Sequence, residues 1–125
     1  MTRASTATAP GAAHKTDFIE PTGIDTLCAL FRERLRRTPD ALAYRWFDGA
    51  RAGWRDLRWR DIAVRVARWQ AACEAEGLRP GERVALMLPN GPDWVCIDQA
   101  ALGLGLVVVP LFFNDRPDSV AWILE

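Results

Sequence analysis

Two short, continuously apolar runs, separated by one helix-length segment, most constrain how this chain can fold. The runs are Val84–Leu88 and Leu106–Leu111. Continuous apolar runs are typical of strands that are covered on both faces of a parallel sheet. Between them, Pro92 suits the first position of a helix. The inward face of that helix is predicted to carry Trp94, Ile97, Ala101 and Leu104. The pattern predicts a parallel βαβ unit, and therefore an α/β fold with a partial parallel sheet and flanking helices.

The region before this unit has the pattern of a helix followed by a β-hairpin. Apolar residues recur at helical spacing in Asp25–Arg37, where Asp25 is predicted to cap the first turn. The Thr-Pro pair that follows ends the helix, because the residue before a proline is disfavoured in helical geometry. Aromatic residues predict strands over Ala41–Phe47 and Trp54–Trp59, joined by a long tip over Asp48–Gly53.

A longer helix, a tight turn and a last helix complete the predicted elements. The segment Arg60–Glu76 is amphipathic. Its apolar stripe is predicted to contain Ile62, Val66, Trp69 and Cys73. Gly77 supplies the left-handed residue that closes such a helix, and Arg79–Gly81 has the proline and glycine order of a type II turn. The last helix begins near Asp115–Pro117, and its inward residues are predicted to be Val120, Ile123 and Leu124. It reaches Glu125 without a stop signal, which predicts a chain that has been cut short.

Charge and composition exclude two classes of partner. Sixteen basic residues balance sixteen acidic residues, so no net field attracts the chain to nucleic acid. The longest uncharged apolar run, Ala100–Phe113, is shorter than the roughly 20 residues that cross a bilayer, and glycine and proline interrupt it. The sequence therefore predicts neither a nucleic-acid partner nor a membrane span.

The amino terminus and the cysteines indicate where the chain acts. Met1–His14 has no apolar run of the kind that secretory signals contain. Cys28, Cys73 and Cys96 are odd in number and widely spaced, which favours reduced core residues over disulfides or metal ligands. These observations predict a cytoplasmic protein with a disordered tail over residues 1–17 and one domain over residues 18–125.

No cluster of residues in the sequence predicts an active site. The Gly103 and Gly105 pair lacks the third glycine of a dinucleotide-binding loop and precedes a strand, which favours helix termination. The Pro89–Pro92 turn opens a helix after a strand, where α/β sheets bind ligands, although the same residues suit an ordinary strand-to-helix turn. Most of the six tryptophans are predicted to pack in the core, Trp54 beside the hairpin tip being the least constrained, and the single histidine, His14, lies in the tail. No catalytic, cofactor-binding or metal-binding residue is predicted.

Six segments, in this order along the chain, have the sequence pattern of a known protein family. They are Leu27–Phe31, Arg37–Ala43, Leu57–Ile62, Gly77–Val95, Ala100–Leu111 and Pro117–Glu125. Together they resemble the amino-terminal region of the adenylate-forming superfamily of AMP-dependent synthetases and ligases, and they are most similar to acyl-CoA synthetases of the fatty-acid type. The resemblance covers residues 25–125 and implies an incomplete amino-terminal piece of that enzyme fold.

The resemblance implies a part in making acyl-adenylate from a fatty acid and ATP, and then acyl-CoA from CoA. The family neutralises the charge in this reaction with a phosphate-binding loop, carboxylates that position Mg²⁺ and a catalytic lysine, and this sequence has none of these motifs. Lys15 lies outside the resembling segments. Arg58 stands where the family has a serine or threonine that caps a helix.

The missing motifs predict what role the chain has in this reaction. It is expected to bind no cofactor and to be inactive alone, as the amino-terminal fragment of a long- or medium-chain fatty acyl-CoA synthetase. ATP, Mg²⁺ and CoA would act in the complete enzyme, and the partner of the chain would be the remainder of that enzyme. The loop Phe112–Arg116, at the carboxyl end of the second parallel strand, would border the CoA cleft.

A second interpretation, from a different class of protein, stays open. The chain would be a free-standing α/β module that binds a ligand or a partner without catalysis. This interpretation requires a fold that is stable alone and melts cooperatively. A truncated sheet would instead aggregate, because it exposes strand edges and apolar helix faces.

Overall fold

Residues 17–125 are described by the computed structural model of this chain. In chain order the elements are α1 (Leu27–Arg37), β1 (Leu42–Asp48), a 3₁₀ turn (Gly49–Arg51), β2 (Gly53–Arg58), α2 (Trp59–Ala75), β3 (Arg83–Leu86), α3 (Pro92–Gly103), β4 (Val107–Pro110) and α4 (Pro117–Leu124). The predicted disordered tail, residues 1–17, lies outside the described residues except for Asp17. The carboxylate of Asp17 accepts hydrogen bonds from the guanidinium groups of Arg34 and Arg37 in α1.

The parallel βαβ unit predicted from the two apolar runs is confirmed. β3 and β4 pair in parallel, from Arg83 opposite Val107 to Leu86 opposite Pro110. The N–H of Leu111 donates to the carbonyl oxygen of Leu86 at 2.9 Å and extends the ladder past the proline. α3 connects the two strands, and a proline occupies its first turn as the sequence predicts.

Only one face of this parallel sheet is well covered by the described residues. Leu86 is 3% exposed, whereas Val107 is 48% exposed and Ala85 is also exposed. The prediction that both faces are covered is therefore wrong for this part of the chain. The physical reason is that α3 packs against both strands from one side and leaves alternate side chains in solvent.

β1 and β2 form the predicted antiparallel hairpin, in which Phe47 lies opposite Trp54. The 3₁₀ turn makes the tip of this hairpin. The carboxylate of Asp48 caps the turn by accepting hydrogen bonds from the N–H groups of Ala50 and Arg51 at 3.1 and 3.2 Å. The side chain of Asp48 therefore stabilises the hairpin tip, which is longer than the common two-residue turn.

Thr26 caps α1, and the prediction that Asp25 does so is wrong. The hydroxyl oxygen of Thr26 accepts a hydrogen bond from the N–H of Ala29 at 3.0 Å. Thr26 has the extended backbone of an N-cap residue, which places its short hydroxyl over the first turn of the helix. At the other end, α1 stops before Thr38, as the Thr-Pro pair predicts.

The start of α2 compensates for an arginine at its N-cap. Arg58 has no side-chain oxygen that could accept a hydrogen bond from the first turn. Instead, the carboxylate of Asp61 accepts a hydrogen bond from the N–H of Arg58 at 2.9 Å. The same carboxylate places negative charge at the positive end of the helix dipole, which is favourable.

The end of α2 has the glycine cap that the sequence predicts. Gly77 adopts φ +78°, in the left-handed region. The N–H of Gly77 donates to the carbonyl oxygen of Glu74 at 3.0 Å, and the N–H of Leu78 donates to that of Cys73 at 3.1 Å. These two bonds satisfy carbonyl groups that a helix end otherwise leaves without a partner.

The main core lies between the hairpin, α2 and α3. Its buried members are Leu57, Ile62, Val66, Cys96 and Ala100. Within α3, the side chains of Cys96 and Ala100 are 0% exposed. Of the predicted inward face of that helix, only Ala101 is fully buried, whereas the other members are half-buried. The inward face of α3 is thus shifted toward its small residues, which let the helix approach α2 closely.

The prediction that most tryptophans pack in the core is wrong for three of the six, whereas Trp46 is half-buried and packs against the core. Trp54, Trp69 and Trp122 are 68%, 41% and 77% exposed, and none of the six is fully buried. Ile123 and Leu124 of α4 are also exposed, at 43% and 61%, so the predicted inward face of that helix is wrong for these two residues, whereas Val120 is half-buried. Apolar character alone does not bury a side chain, because another element must be present to cover it.

The three cysteines are free thiols, with Cys96 buried and Cys28 and Cys73 half-buried. No helix in residues 17–125 is long and apolar enough to cross a membrane.

Candidate functional site

The carboxyl ends of β3 and β4 form the kind of sheet edge at which α/β proteins bind ligands. The Pro89–Pro92 turn follows β3 and the Phe112–Arg116 loop follows β4, so parallel pairing brings both predicted segments to one edge. A cavity of about 420 Å³ lies beside the first segment, and its lining includes Trp69, Leu88, Pro89, Gly91, Asp93 and Ile97. This edge is the site that the topology favours.

The charge at the start of α3 is balanced by the chain's own side chains. Asp93 lies in the first turn, where its carboxylate complements the positive end of the helix dipole. The same carboxylate pairs with the guanidinium of Arg65 at 3.2 Å. That guanidinium also lies 5.8 Å from the ring centre of Trp46, within cation–π range. These contacts support the interpretation of the Pro89–Pro92 segment as a stabilised strand-to-helix turn.

Burial raises the pKa of two titratable groups in α3, the Cys96 thiol and the Asp98 carboxyl. Burial raises the pKa of the Cys96 thiol, which disfavours the reactive thiolate. Burial also raises the pKa of Asp98, next to Gln99. Within residues 17–125, no three His, Cys, Asp or Glu side chains are grouped so that they could hold a metal ion. His14 and Lys15 lie outside the described residues, and the expectation that this chain supplies no catalytic residue stays a prediction.

A second cavity, which the sequence did not indicate, lies among α1, β1 and α3. We call it the α1 groove. Its volume is about 430 Å³, and its lining includes Ile19, Leu27, Leu30, Phe31, Tyr44 and Trp59. The Trp59 ring lies 6.2 Å from the ring of Phe31 and 6.0 Å from the ring of Tyr44, both in edge-to-face geometry. Burial raises the pKa of the Tyr44 hydroxyl, because the apolar surroundings disfavour the charged phenolate.

One side of the α1 groove is charged. Asp17 and Arg34 line it, and their carboxylate and guanidinium groups lie 3.3 Å apart. Arg34 also donates to the backbone carbonyl oxygen of Asp17 at 2.6 Å. Arg37 adds a second guanidinium nitrogen, 3.4 Å from the carboxylate of Asp17, and it pairs with Glu33 at 2.7 Å. Two cations therefore share the carboxylate of Asp17.

Glu33 gives this charged cluster a pH dependence. Hydrogen bonds from Arg36 and then Arg37 lower the pKa of Glu33 from 4.5 to about 2. Because the pKa is lower in the folded chain, ionised Glu33 stabilises the fold above about pH 4.5, and this contribution disappears as the pH falls toward 2. We expect Glu33→Gln to unfold at a lower urea concentration than the parent chain at neutral pH. The effect is small, because the pairs are partly exposed.

Urea titrations of both chains at a series of pH values test this expectation. The difference between their unfolding midpoints should narrow as the pH falls from about 4.5 toward 2. A difference that is constant over that range would show that Glu33 acts through packing rather than through charge.

A comparison with known protein families identifies the family of this chain. The model of the family described as AMP-binding enzyme matches residues 31–125, which contain the hairpin, the βαβ unit and α4. This chain belongs to the AMP-binding enzyme family. The superfamily predicted from the ordered segments is therefore confirmed.

Two ligases with assigned substrates are similar to most of this chain. A long-chain fatty-acid CoA ligase of Mycobacterium bovis is 28% identical over 102 residues, which cover 81% of this chain and 16% of that protein. A long-chain fatty-acid AMP ligase of Mycolicibacterium smegmatis is 38% identical over 84 residues, which cover 65% of this chain and 13% of that protein. This chain is thus related to fatty acyl-CoA and fatty acyl-AMP ligases, and it spans a minor part of their length.

A solved structure supports the same assignment to the AMP-binding family. The inhibitor-bound N-terminal domain of FACL13 from Mycobacterium tuberculosis matches with a TM-score of 0.68 and 26% identity. The match covers 78% of this chain and 23% of that one. The predicted fold class, α/β with a partial parallel sheet and flanking helices, is confirmed, and the chain is similar to this amino-terminal domain.

In this member of the AMP-binding enzyme family, the glycine pair at the carboxyl end of α3 ends the helix, as the sequence predicts. Gly105 adopts φ +73°, and its N–H donates to the carbonyl oxygen of Leu102 at 3.1 Å. A Cβ at Gly103 would collide with the side-chain amide of Gln70 in α2. These glycines therefore serve a turn and a close helix approach, and their geometry gives no phosphate-binding loop.

Proposed function

We propose that this chain is the amino-terminal part of a fatty acyl ligase of the AMP-binding family. The observation that carries the proposal is the family match over residues 31–125. In the complete enzyme, a fatty acid and ATP would give the acyl-adenylate, and CoA would accept the acyl group. Relatives named as long-chain fatty-acid CoA and AMP ligases support a long- or medium-chain fatty acid as the substrate class. A cytoplasmic location is part of the same proposal.

Within that enzyme, the described residues would act as a scaffold. No three His, Cys, Asp or Glu side chains are grouped together in residues 17–125, and we assign these residues no Mg²⁺ ligand. β3 and β4 would instead hold the two strand-end segments in place. In the second segment, the rings of Phe112 and Phe113 are exposed with centres 5.5 Å apart, and Arg116 is exposed nearby in sequence. Exposed aromatic rings and a guanidinium suit the proposed CoA border, since CoA has an adenine ring and phosphates.

The remainder of the enzyme is the proposed partner of exposed apolar side chains in β4 and α4. Val107 of β4, together with Trp122 and Ile123 of α4, is 48%, 77% and 43% exposed, respectively. Covering such side chains favours association by about 25 cal/mol for each Å² of apolar surface buried. The open edges of a two-stranded parallel sheet also favour the addition of further strands.

Adenylation assays with and without a complementing chain test this proposal. A related full-length ligase is the positive control. The acceptor is the same ligase without the segment that corresponds to residues 31–125. We expect no fatty-acid-dependent release of pyrophosphate from this 125-residue chain or from the acceptor alone. We expect release when the two are combined, because the missing wall of the fold is then supplied.

Two outcomes would contradict the proposal. Acyl-AMP formation by this chain alone would refute its role as a scaffold without catalytic groups. Inactivity of the combined sample would refute the ligase assignment, provided that the ligase's own excised segment restores activity to the same acceptor. In an active combination, Arg116→Ala should raise the KM for CoA and leave adenylation unchanged. An unchanged KM would remove Arg116 from the proposed CoA border.

A free-standing binding module is the second candidate. The fully buried side chains of Ile62 and Cys96 favour it, because they show that the chain forms a core of its own. Under this candidate, the purified chain elutes as a monomer, melts cooperatively and gives no activity with the acceptor ligase. Aggregation or a non-cooperative melt would instead favour the ligase fragment.

A further inference from the structure

A further cavity lies between α1, α2 and α3, and we call it the three-helix cavity. Its volume is about 190 Å³. Its apolar walls include Phe31 and Leu35 of α1 and Val66 of α2, which is only 5% exposed. Among residues 17–125, it shares no lining residue with the cavity at the carboxyl edge of β3. The three-helix cavity is therefore separate from the edge to which the proposed function assigns ligands.

Gln99 of α3 lines this cavity and has an unsatisfied polar atom. Its side-chain oxygen Oε1 is buried and has no hydrogen-bond partner in the described part of the chain. The other amide atom, Nε2, donates to the carboxylate of Asp98 at 3.4 Å. A buried acceptor without a partner costs free energy, because it has lost its hydrogen bonds to water. Oε1 of Gln99 is therefore available to a ligand that carries an O–H or N–H group.

The amide of Gln70 in α2 lies nearby but does not satisfy this oxygen. Gln70 lines the same cavity, and its amide lies against Gly103, one helical turn from Gln99 on α3. Oε1 of Gln99 nevertheless accepts no hydrogen bond from any residue that the structure describes. The acceptor is thus unpaired although another amide lies close to it.

The volume of the three-helix cavity indicates the size of the ligand. One water needs about 10–15 Å³ of such volume, whereas a cavity of about 150 Å³ holds benzene. At about 190 Å³ the three-helix cavity is too large for one bridging water and has room for a single ring. It is smaller than the sites of drug-sized ligands, which begin at about 300 Å³.

The charge around the cavity favours a neutral donor. Arg32 contributes a positive charge to the lining at an exposed position, and this charge disfavours a cationic ligand. An anionic group is disfavoured at Oε1 of Gln99, because an amide oxygen is an acceptor and has no proton to donate. The lining therefore suits a neutral ring with one O–H or N–H group.

We propose that the three-helix cavity binds a neutral monocyclic compound with one hydrogen-bond donor, such as a phenol. The hydroxyl of the ligand donates to Oε1 of Gln99, and the ring packs against Phe31 and Val66. The ligand contacts all three helices at once. This site is additional to the proposed ligase function and does not depend on it.

Cysteine alkylation measures occupancy of the cavity in the full chain. Cys28 lines the cavity and is half-buried, whereas Cys73 is half-buried and lies outside the lining. The protein is treated with iodoacetamide at neutral pH in the presence of phenol, and mass spectrometry follows each cysteine separately. Phenol at about ten times its dissociation constant should slow alkylation of Cys28 about tenfold and leave Cys73 unchanged.

Phenol and toluene separate the hydrogen bond from apolar packing, because both have seven heavy atoms in total. Gln99→Met removes the acceptor and keeps the length of the side chain. We expect the ratio of phenol affinity to toluene affinity to fall about tenfold in this variant. Comparing ratios cancels the difference in hydration between the probes. Gln70→Met is the matched control, since Gln70 lines the cavity without a buried unpaired atom, and its ratio should equal that of the parent.

Two enlarged side chains locate the bound ring. Ala63 lines the three-helix cavity, so we expect Ala63→Leu to abolish the protection of Cys28 by phenol. The α1 groove shares Phe31 and Gln99 with this cavity, whereas Leu27 lines only the groove. Leu27→Phe should therefore leave the protection unchanged. Circular dichroism checks that each variant is folded, and the probe ratio in Gln99→Met is independent of both variants.

Three results would overturn the proposal. The first is that phenol does not slow alkylation of Cys28, or slows Cys28 and Cys73 equally. The second is that the ratio of phenol to toluene affinity is the same in Gln99→Met as in the parent. The third is that folded Ala63→Leu keeps full protection. Since neither ATP nor a complementing chain is present, these results are distinct from a failure of the adenylation proposal.

Discussion

Replacement of Ile62 by alanine is expected to lower the free energy of unfolding by about 2–5 kcal/mol. Ile62 is 0% exposed and belongs to the buried cluster with Leu57, Val66 and Cys96. Removing most of its side chain forfeits dispersion contacts and leaves a cavity that the close-packed neighbours fill only in part. A chain of this size has a small margin of stability, so much of the folded population would be lost.

Urea unfolding followed by circular dichroism measures this loss. Val64→Ala is the matched control, because Val64 lies on the same helix and is 53% exposed. We expect the control to change the free energy of unfolding by about 0.5 kcal/mol or less. Ile62→Val should fall between the two, at about 0.5–1.5 kcal/mol. Equal losses at positions 62 and 64 would contradict the packing of α2 on the hairpin and α3.

The second large effect is expected at the end of α2. Gly77→Ala should lower the free energy of unfolding by about 1–2 kcal/mol, the usual cost of a left-handed backbone at a residue with a side chain. Gly77 has φ +78°, and no atom lies within 4 Å of the position that a Cβ would take. The cost therefore comes from the backbone conformation and not from a steric clash.

Two further variants separate these causes. Gly49→Ala is the control, since a Cβ there also meets no atom within 4 Å, and Gly49 does not have a left-handed backbone. We expect it to be neutral within about 0.5 kcal/mol. Gly77→Asn should recover part of the loss, because asparagine tolerates the left-handed region. A loss at Gly49→Ala equal to that at Gly77→Ala would contradict the assigned cap.

Most helices, strands and turns of this fold could be predicted from the residue types in short stretches of the sequence. Gly77 and Gly81 both adopt positive φ, as a helix cap and a type II turn require. The apolar runs at Val84–Leu88 and Leu106–Leu111 predicted the parallel pair, because such runs are common where strands are buried between helices. The N-cap of α1 could not be predicted in this way, because threonine and aspartate are both favourable N-cap residues. Only the extended backbone of Thr26 shows that Thr26, and not Asp25, caps the helix.

Burial and the α1 groove could not be predicted, because both depend on residues far apart in sequence. Trp54 and Trp122 have the apolar character of core residues, but no neighbouring element covers them sufficiently. The groove is formed by Ile19, Tyr44 and Trp59 together with parts of α1 and α3. No local pattern relates these positions. The strand-end edge was predictable, since parallel pairing alone places the ends of both strands together.

The exposure of Trp122 makes α4 an optical reporter of assembly. Indole fluorescence shifts to shorter wavelength when water around the ring is replaced by apolar groups. Because Trp122 is 77% exposed, a polypeptide that covers α4 would shift its emission, and a Trp122→Phe chain would show how much of the shift originates there. The association of this chain with the rest of a ligase can thus be followed without any attached label, and before any turnover is detected.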